Sequence, residues 1–121
     1  MTTLSETSLS TDERLLLERF ASSLRSDEQN EVDSIWLFGS RARGGPCSEY
    51  SDVDLLVLVA DDSWDAKARI HETLLHTART LDLEALTWSF SVHIHTPEWL
   101  AQRREIGSFF IAEIDRDKVA A

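Results

Sequence analysis

Asp52 and Asp54 stand two residues apart at the head of an apolar run that continues Leu55-Leu56-Val57-Leu58-Val59. Side chains alternate along an extended strand, so both carboxylates project from one face while Val53 and Leu55 turn to the other. Two close carboxylates repel each other unless a cation sits between them. A hard divalent ion with oxygen ligands, Mg²⁺ in a cell, suits such a pair because it takes one or two carboxylates and completes its shell with substrate phosphates. Upstream, the stretch Phe38-Gly39-Ser40-Arg41-Ala42-Arg43-Gly44 follows a short β-prone run. Gly39 lets the backbone approach a ligand. Ser40 offers a hydroxyl and an amide where the turn points free N–H groups outward. Arg41 and Arg43 carry guanidiniums that grip phosphate in a bidentate manner. The two stretches are read as halves of one site for a metal-bound polyphosphate.

Those residues need elements to hold them. Ser10 with Glu13 three positions on forms a capping-box pattern, and Leu15, Leu16, Phe20 and Leu24 follow at helical spacing, which predicts a helix over about 11–25. Ile35 to Phe38 is a short strand stopped at Gly39, and 52–59 is a second strand, polar at its start. Ile70, Leu74, Leu75, Ala78 and Leu81 make the apolar stripe of a helix over 64–81. Residues 86–95 alternate, with Trp88, Phe90, Val92 and Ile94 on one side and Ser89, Ser91, His93 and His95 on the other, the pattern of a half-buried strand. Thr96 as N-cap and Pro97 at the first helical position start a helix that runs to about Glu105 and ends near Gly107, and a last short helix begins at Ser108. Trp36, Phe38, Trp88 and Phe90 are expected in the core, whereas Trp99, Phe109 and Phe110 are candidates for a partner surface.

This order of elements predicts an α/β or α+β sandwich. The 121 residues fit a single domain over 10–121, preceded by a polar, flexible stretch over 1–9. No apolar run approaches the roughly 20 residues needed to span a bilayer and the N-terminus lacks a signal pattern, so a cytoplasmic protein without membrane association is expected. Cys47 is the one cysteine and lies among Gly45, Pro46 and Ser48, which excludes an internal disulfide and a cysteine zinc cluster. Twenty-two acidic against twelve basic residues leave a formal charge of −10, which disfavours a nucleic-acid backbone as partner and favours a basic or neutral protein.

With these residues in view, Gly39-Ser40-Arg41-Ala42-Arg43-Gly44 followed by Ser51-Asp52-Val53-Asp54-Leu55 resembles the signature of the polymerase-β-type nucleotidyltransferase superfamily, nearest to its minimal stand-alone members. The resemblance is strong from Ile35 to about Val59 and looser across the rest of the chain. It implies a mixed sheet with helices on one face and the nucleotide on the other. Asp52 and Asp54 would then be catalytic and hold Mg²⁺, with Gly39, Ser40, Arg41, Arg43 and Ser51 at the nucleoside triphosphate. It further implies transfer of AMP from ATP. Several similar minimal members are antitoxins that attach AMP to a tyrosine of a HEPN-type ribonuclease toxin, which makes such a toxin the expected partner.

Members of that superfamily usually add a third carboxylate from a neighbouring strand, and here none is in place. The polar face of 86–95 offers Ser91 and His93 at the third position, and the nearest acids, Asp82 and Glu84, precede it. Three outcomes stay open: Glu84 is recruited through an unexpected register, a histidine substitutes, or the protein is a degenerate nucleotide- or partner-binding module without efficient catalysis. His71 and His76 lie on the 64–81 helix without a matching ligand spacing.

Overall fold

The apolar run after Asp52 becomes the central strand of a four-stranded sheet. In the computed structural model, which describes residues 3–4, 7–39, 41–42 and 52–121, β1 (Val32–Phe38), β2 (Val53–Val59), β3 (Phe90–His95) and β4 (Val119–Ala120) lie in the order β3-β2-β1-β4. β1 pairs antiparallel with β2 and β4, while β2 and β3 are parallel, so the sheet is mixed as expected for an α+β fold. β2 is buried on both faces from Leu55 to Val59, which is why it reads as a continuous hydrophobic run.

Helix α1 (Thr11–Ser26) starts where the capping box placed it: the Glu13 amide donates to Ser10 Oγ at 3.1 Å and the Ser10 amide to Glu13 Oε1 at 2.8 Å. Helix α2 (Trp64–Thr80) is capped by Ser63, which accepts from the Ala66 amide at 3.3 Å. Leu16, Leu17, Phe20 and Leu24 of α1 and Ile70, Leu74 and Ala78 of α2 pack on Ile35, Leu37, Val53, Leu55, Val57, Phe90 and Ile94 of the sheet. Each fully buried side chain of this layer contributes about 1.5–3 kcal/mol.

The second face of the sheet is not left open. Helix α3 (Pro97–Glu105), capped by Thr96, and helix α4 (Phe109–Asp117) supply Leu100, Ile111 and Ile114 to a smaller cluster with Phe38, Leu56 and Leu58. The expectation of helices on one face only is therefore corrected: Phe38, Leu56 and Leu58 alternate onto the face opposite α1 and α2, and their apolar surface requires a cover. The described part of the N-terminal stretch also departs from a frayed end, since Leu4 and Leu9 pack against the main cluster and the Ser8 amide donates to the Arg41 carbonyl at 2.9 Å. No helix among the described residues is long and apolar enough to cross a membrane.

The strand expected over 86–95 begins only at Phe90. Glu84–Ser89 is a 3₁₀ helix instead, entered through Asp82 at a φ of +57°. Thr87 Oγ1 donates to the Glu84 carbonyl at 2.6 Å and Ser89 Oγ to the Leu86 carbonyl at 3.0 Å, so hydroxyls three residues on hold the turn. Leu83 and Leu86, also three apart, pack against the main cluster. Trp88 is consequently 91% exposed rather than in the core. Replacing Trp88 by alanine is expected to change unfolding free energy by no more than about 0.5 kcal/mol, against about 3–5 kcal/mol for Phe90→Ala, as measured by urea denaturation.

Candidate functional site

Register puts the polar residues of the second face in one row. Phe38 pairs with Asp54 across β1 and β2, Asp54 with Ser91 across β2 and β3, and His93 lies opposite Leu56 one step along. Because the period is two, Asp54, Ser91, His93 and His95 share a face, as the alternation of 86–95 required once the strand was shortened. Asp52 precedes β2 at an exposed position, near enough for its charge to act on Asp54.

β1 runs directly into a tight turn at Gly39, which has a φ of +78°. A Cβ at this position would lie 2.7 Å from Asp54 Oδ2, so only glycine lets the turn backbone rest against the carboxylate. The Ala42 amide then donates to the Gly39 carbonyl at 3.1 Å and closes the turn. Gly39→Ala is expected to cost about 1–3 kcal/mol of stability through the left-handed backbone alone. It should also displace Asp54 and lower affinity for a metal–nucleotide complex, measurable by calorimetry. Unchanged affinity in a folded Gly39→Ala variant would mean that the turn and the carboxylate do not act together.

Asp54 lines a cavity of about 290 Å³ together with Phe38, Gly39, His93, Phe110, Glu113, Ile114 and Asp117. Burial is the main cause that pushes the Asp54 carboxyl above its ordinary range; His93 opposes the shift and the like charge of Asp52 adds to it. His93 Nε2 lies 3.3 Å from Ser91 Oγ, and its ring packs 5.7 Å from Phe38 and 5.9 Å from Phe110, centroid to centroid. His95 is drawn off to the side, stacked on Trp99 with centroids 3.6 Å apart and Arg103 over the other ring contact. Burial, with the nearby cations Lys67 and Arg103, holds the His95 imidazole below its ordinary value.

Two sequence expectations change here. Arg41 does not face the cavity: its side chain is buried against α1, paired with Glu13 and donating to the Ser8 carbonyl at 3.2 Å. Glu13, which already caps α1, is the nearest carboxylate to the turn, and burial of both groups favours their pairing over solvent exposure. Glu84 does not join the site either, since it sits in the 3₁₀ turn with its carboxylate 3.6 Å from Arg79. Ser40, Arg43 and Ser51 lie outside the described residues. Sequence reasoning missed the α4 wall of the cavity. Its signal was the spacing of Phe110, Glu113, Ile114 and Asp117, one face of a helix.

Among the described residues no group of three or more histidine, cysteine, aspartate or glutamate side chains is placed to enclose a metal ion. The donor set nevertheless fits a hard divalent cation held jointly with a substrate. It consists of two acidic side chains whose mutual repulsion raises the Asp54 pKa, beside a turn open to phosphate oxygens.

A mixed sheet that brings a glycine turn and an Asp-x-Asp strand head to one face defines the class of nucleotidyltransferase domains. The family model described as Polymerase beta, Nucleotidyltransferase matches residues 23–96, more than half of the chain, and the protein belongs to that family. The match runs from the end of α1 through β3, so α3 and α4 lie beyond it. No curated protein matches the chain.

Proposed function

We propose that this protein transfers AMP from ATP, in the presence of Mg²⁺, to a hydroxyl acceptor, and that the acceptor is a tyrosine of a HEPN-type toxin which the modification silences. The observation that carries the transfer reading is the meeting of Asp54 with the Gly39 turn on the cavity face of a family nucleotidyltransferase sheet. Asp52 and Asp54 would hold the metal, which when bound neutralises charge on the triphosphate. The Gly39-Ser40 turn would orient the phosphates through its amides, and Arg43 and Ser51 keep the phosphate roles that the motif assigns them. A protein acceptor is supported by the acidic surface and by Ile106, Phe109 and Phe110, exposed large apolar side chains at the join of α3 and α4.

Mg²⁺ and ATP together are expected to raise the melting temperature more than the sum of either alone, because they share ligands; at a hundredfold excess over Kd the stabilisation is about 2.7 kcal/mol. Asp52→Asn should erase the synergy. Label from α-labelled ATP should then appear on the toxin encoded beside this protein. A second reading, a nucleotide-binding module that neutralises its partner by contact, is favoured by the Ser91–His93 pair standing where β3 could have carried an acid. Synergy without label on the partner would select it.

A further inference from the structure

We propose that Glu113 of α4 accepts the proton of the attacking hydroxyl, supplying from a helix the carboxylate that β3 lacks. This assignment rests on the nucleotidyl-transfer reading above. Level with Asp54 on β3 stands Ser91, followed on the same face by His93, so the strand brings no negative charge to the cavity. Across the cavity α4 presents Phe110, Glu113, Ile114 and Asp117, and buried Ile111 and Ile114 seat the helix on the cluster with Leu56 and Leu58. Glu113 is thus aimed by packing on either side of it, on the wall facing Asp54.

The remaining groups of the cavity are engaged. Asp117 accepts two hydrogen bonds from Arg116, both at 3.0 Å, and its side chain is only 7% exposed. His93 has Nε2 directed to Ser91 Oγ and its ring wedged between Phe38 and Phe110, which suits it to ordering the wall. Glu113 accepts no hydrogen bond or ion pair among the described residues, and it is open to solvent as well as to the cavity. At about 290 Å³ the space lies near the lower end for ligand pockets and suits the end of an acceptor rather than a whole nucleotide.

In the step itself the acceptor oxygen forms a bond to the α-phosphorus as its proton passes to the Glu113 carboxylate. The bond from that phosphorus to the β,γ-bridging side breaks, and pyrophosphate leaves with the electron pair. Glu113 returns the proton to water before the next turnover. Phe38 and Phe110 limit water at the attacking oxygen, and α4 carries both the aromatic and the acidic part of this wall.

The test uses pyrophosphate release from Mg²⁺-ATP by the full chain, with water as the acceptor and again with the neighbouring toxin, so that no identified acceptor is required. Glu113→Gln is expected to lower kcat by about 10²–10⁴-fold, with KM for ATP and the thermal shift by Mg²⁺-ATP within about twofold of wild type. The activity of Glu113→Ala should recover in part with added formate, which a merely structural role would not produce. Release by Glu113→Gln at the wild-type rate, with Asp54→Asn inactive, overturns the assignment and leaves nucleotidyl transfer standing. A formate-insensitive Glu113→Ala alongside a His93→Gln variant that loses as much as Glu113→Gln was expected to lose also overturns it. No release by the wild type with either acceptor overturns the transfer reading and Glu113's role with it.

Discussion

Asp54→Asn is expected to reduce nucleotidyl transfer by about 10³-fold, the loss typical when one charge-stabilising contact is removed from a reacting centre, and at the same time to stabilise the ligand-free protein. The second effect follows from the raised Asp54 pKa, caused chiefly by burial and increased by Asp52. A carboxyl that binds its proton more tightly when folded stabilises the fold below its ordinary pKa. That contribution is lost as pH rises through the elevated folded value. At neutral pH the charged form is therefore a cost that asparagine lacks. Because Asp54 is only half-buried, solvent screens much of this cost. The melting temperature of Asp54→Asn without metal should exceed that of the wild type on the order of 2 °C at pH 7. The gap should close as the buffer is taken down through the carboxylate range. A variant less stable than the wild type at pH 7 would mean that Asp54 holds the fold together rather than waiting for a cation.

Arg41→Ala and Glu13→Ala are each expected to lower unfolding free energy by roughly 3–5 kcal/mol, the cost of breaking a buried pair and leaving one charge behind. The double variant should lose much less than the sum, since the second substitution removes the stranded partner. Glu13 makes this pair informative, because its one carboxylate both caps α1 through the Ser10 amide and receives Arg41 from the turn that follows Gly39. The pair ties the turn beside the site to the helix layer on the opposite side of the sheet. In urea titrations with parallel nucleotide binding, both single variants should lose stability together and ATP affinity to a similar, small extent. If Arg41→Ala alone loses ATP affinity by more than about tenfold, the guanidinium reaches phosphate after all and the structural assignment is wrong.

The two variants probe opposite ends of the same turn. Gly39 lies against Asp54 on the cavity side, and Arg41 inserts under α1 on the other. Deforming either end should move the phosphate-facing amides between them. That coupling explains how a residue chosen for its charge in the sequence can matter to the site without touching a ligand.

Local chemistry was sufficient for much of this protein. The capping box of Ser10 and Glu13, the Thr96-Pro97 start and the apolar stripes of α1 and α2 depend on contacts within a few residues, and those elements lie within a residue or two of their expected bounds. The Asp52–Asp54 spacing and the glycine at 39 likewise express backbone geometry, so one face of β2 and the turn opposite it were legible before any packing was known. What the sequence left undecided were choices among partners. Arg41 could bind phosphate or a carboxylate, and the burial of Glu13 beside it decided for the carboxylate. The 84–89 stretch alternated well enough for a strand. Its hydroxyls three residues beyond their carbonyl acceptors, with Leu83 and Leu86 reaching one cluster, made a 3₁₀ turn instead and put Trp88 outside. The cavity was settled last, because a helical spacing states which residues of α4 share a face but not what that face meets. Only the burial of Ile111 and Ile114 against Leu56 and Leu58 brings Glu113 and Asp117 opposite Asp54, at a distance in the chain over which no local pattern carries information.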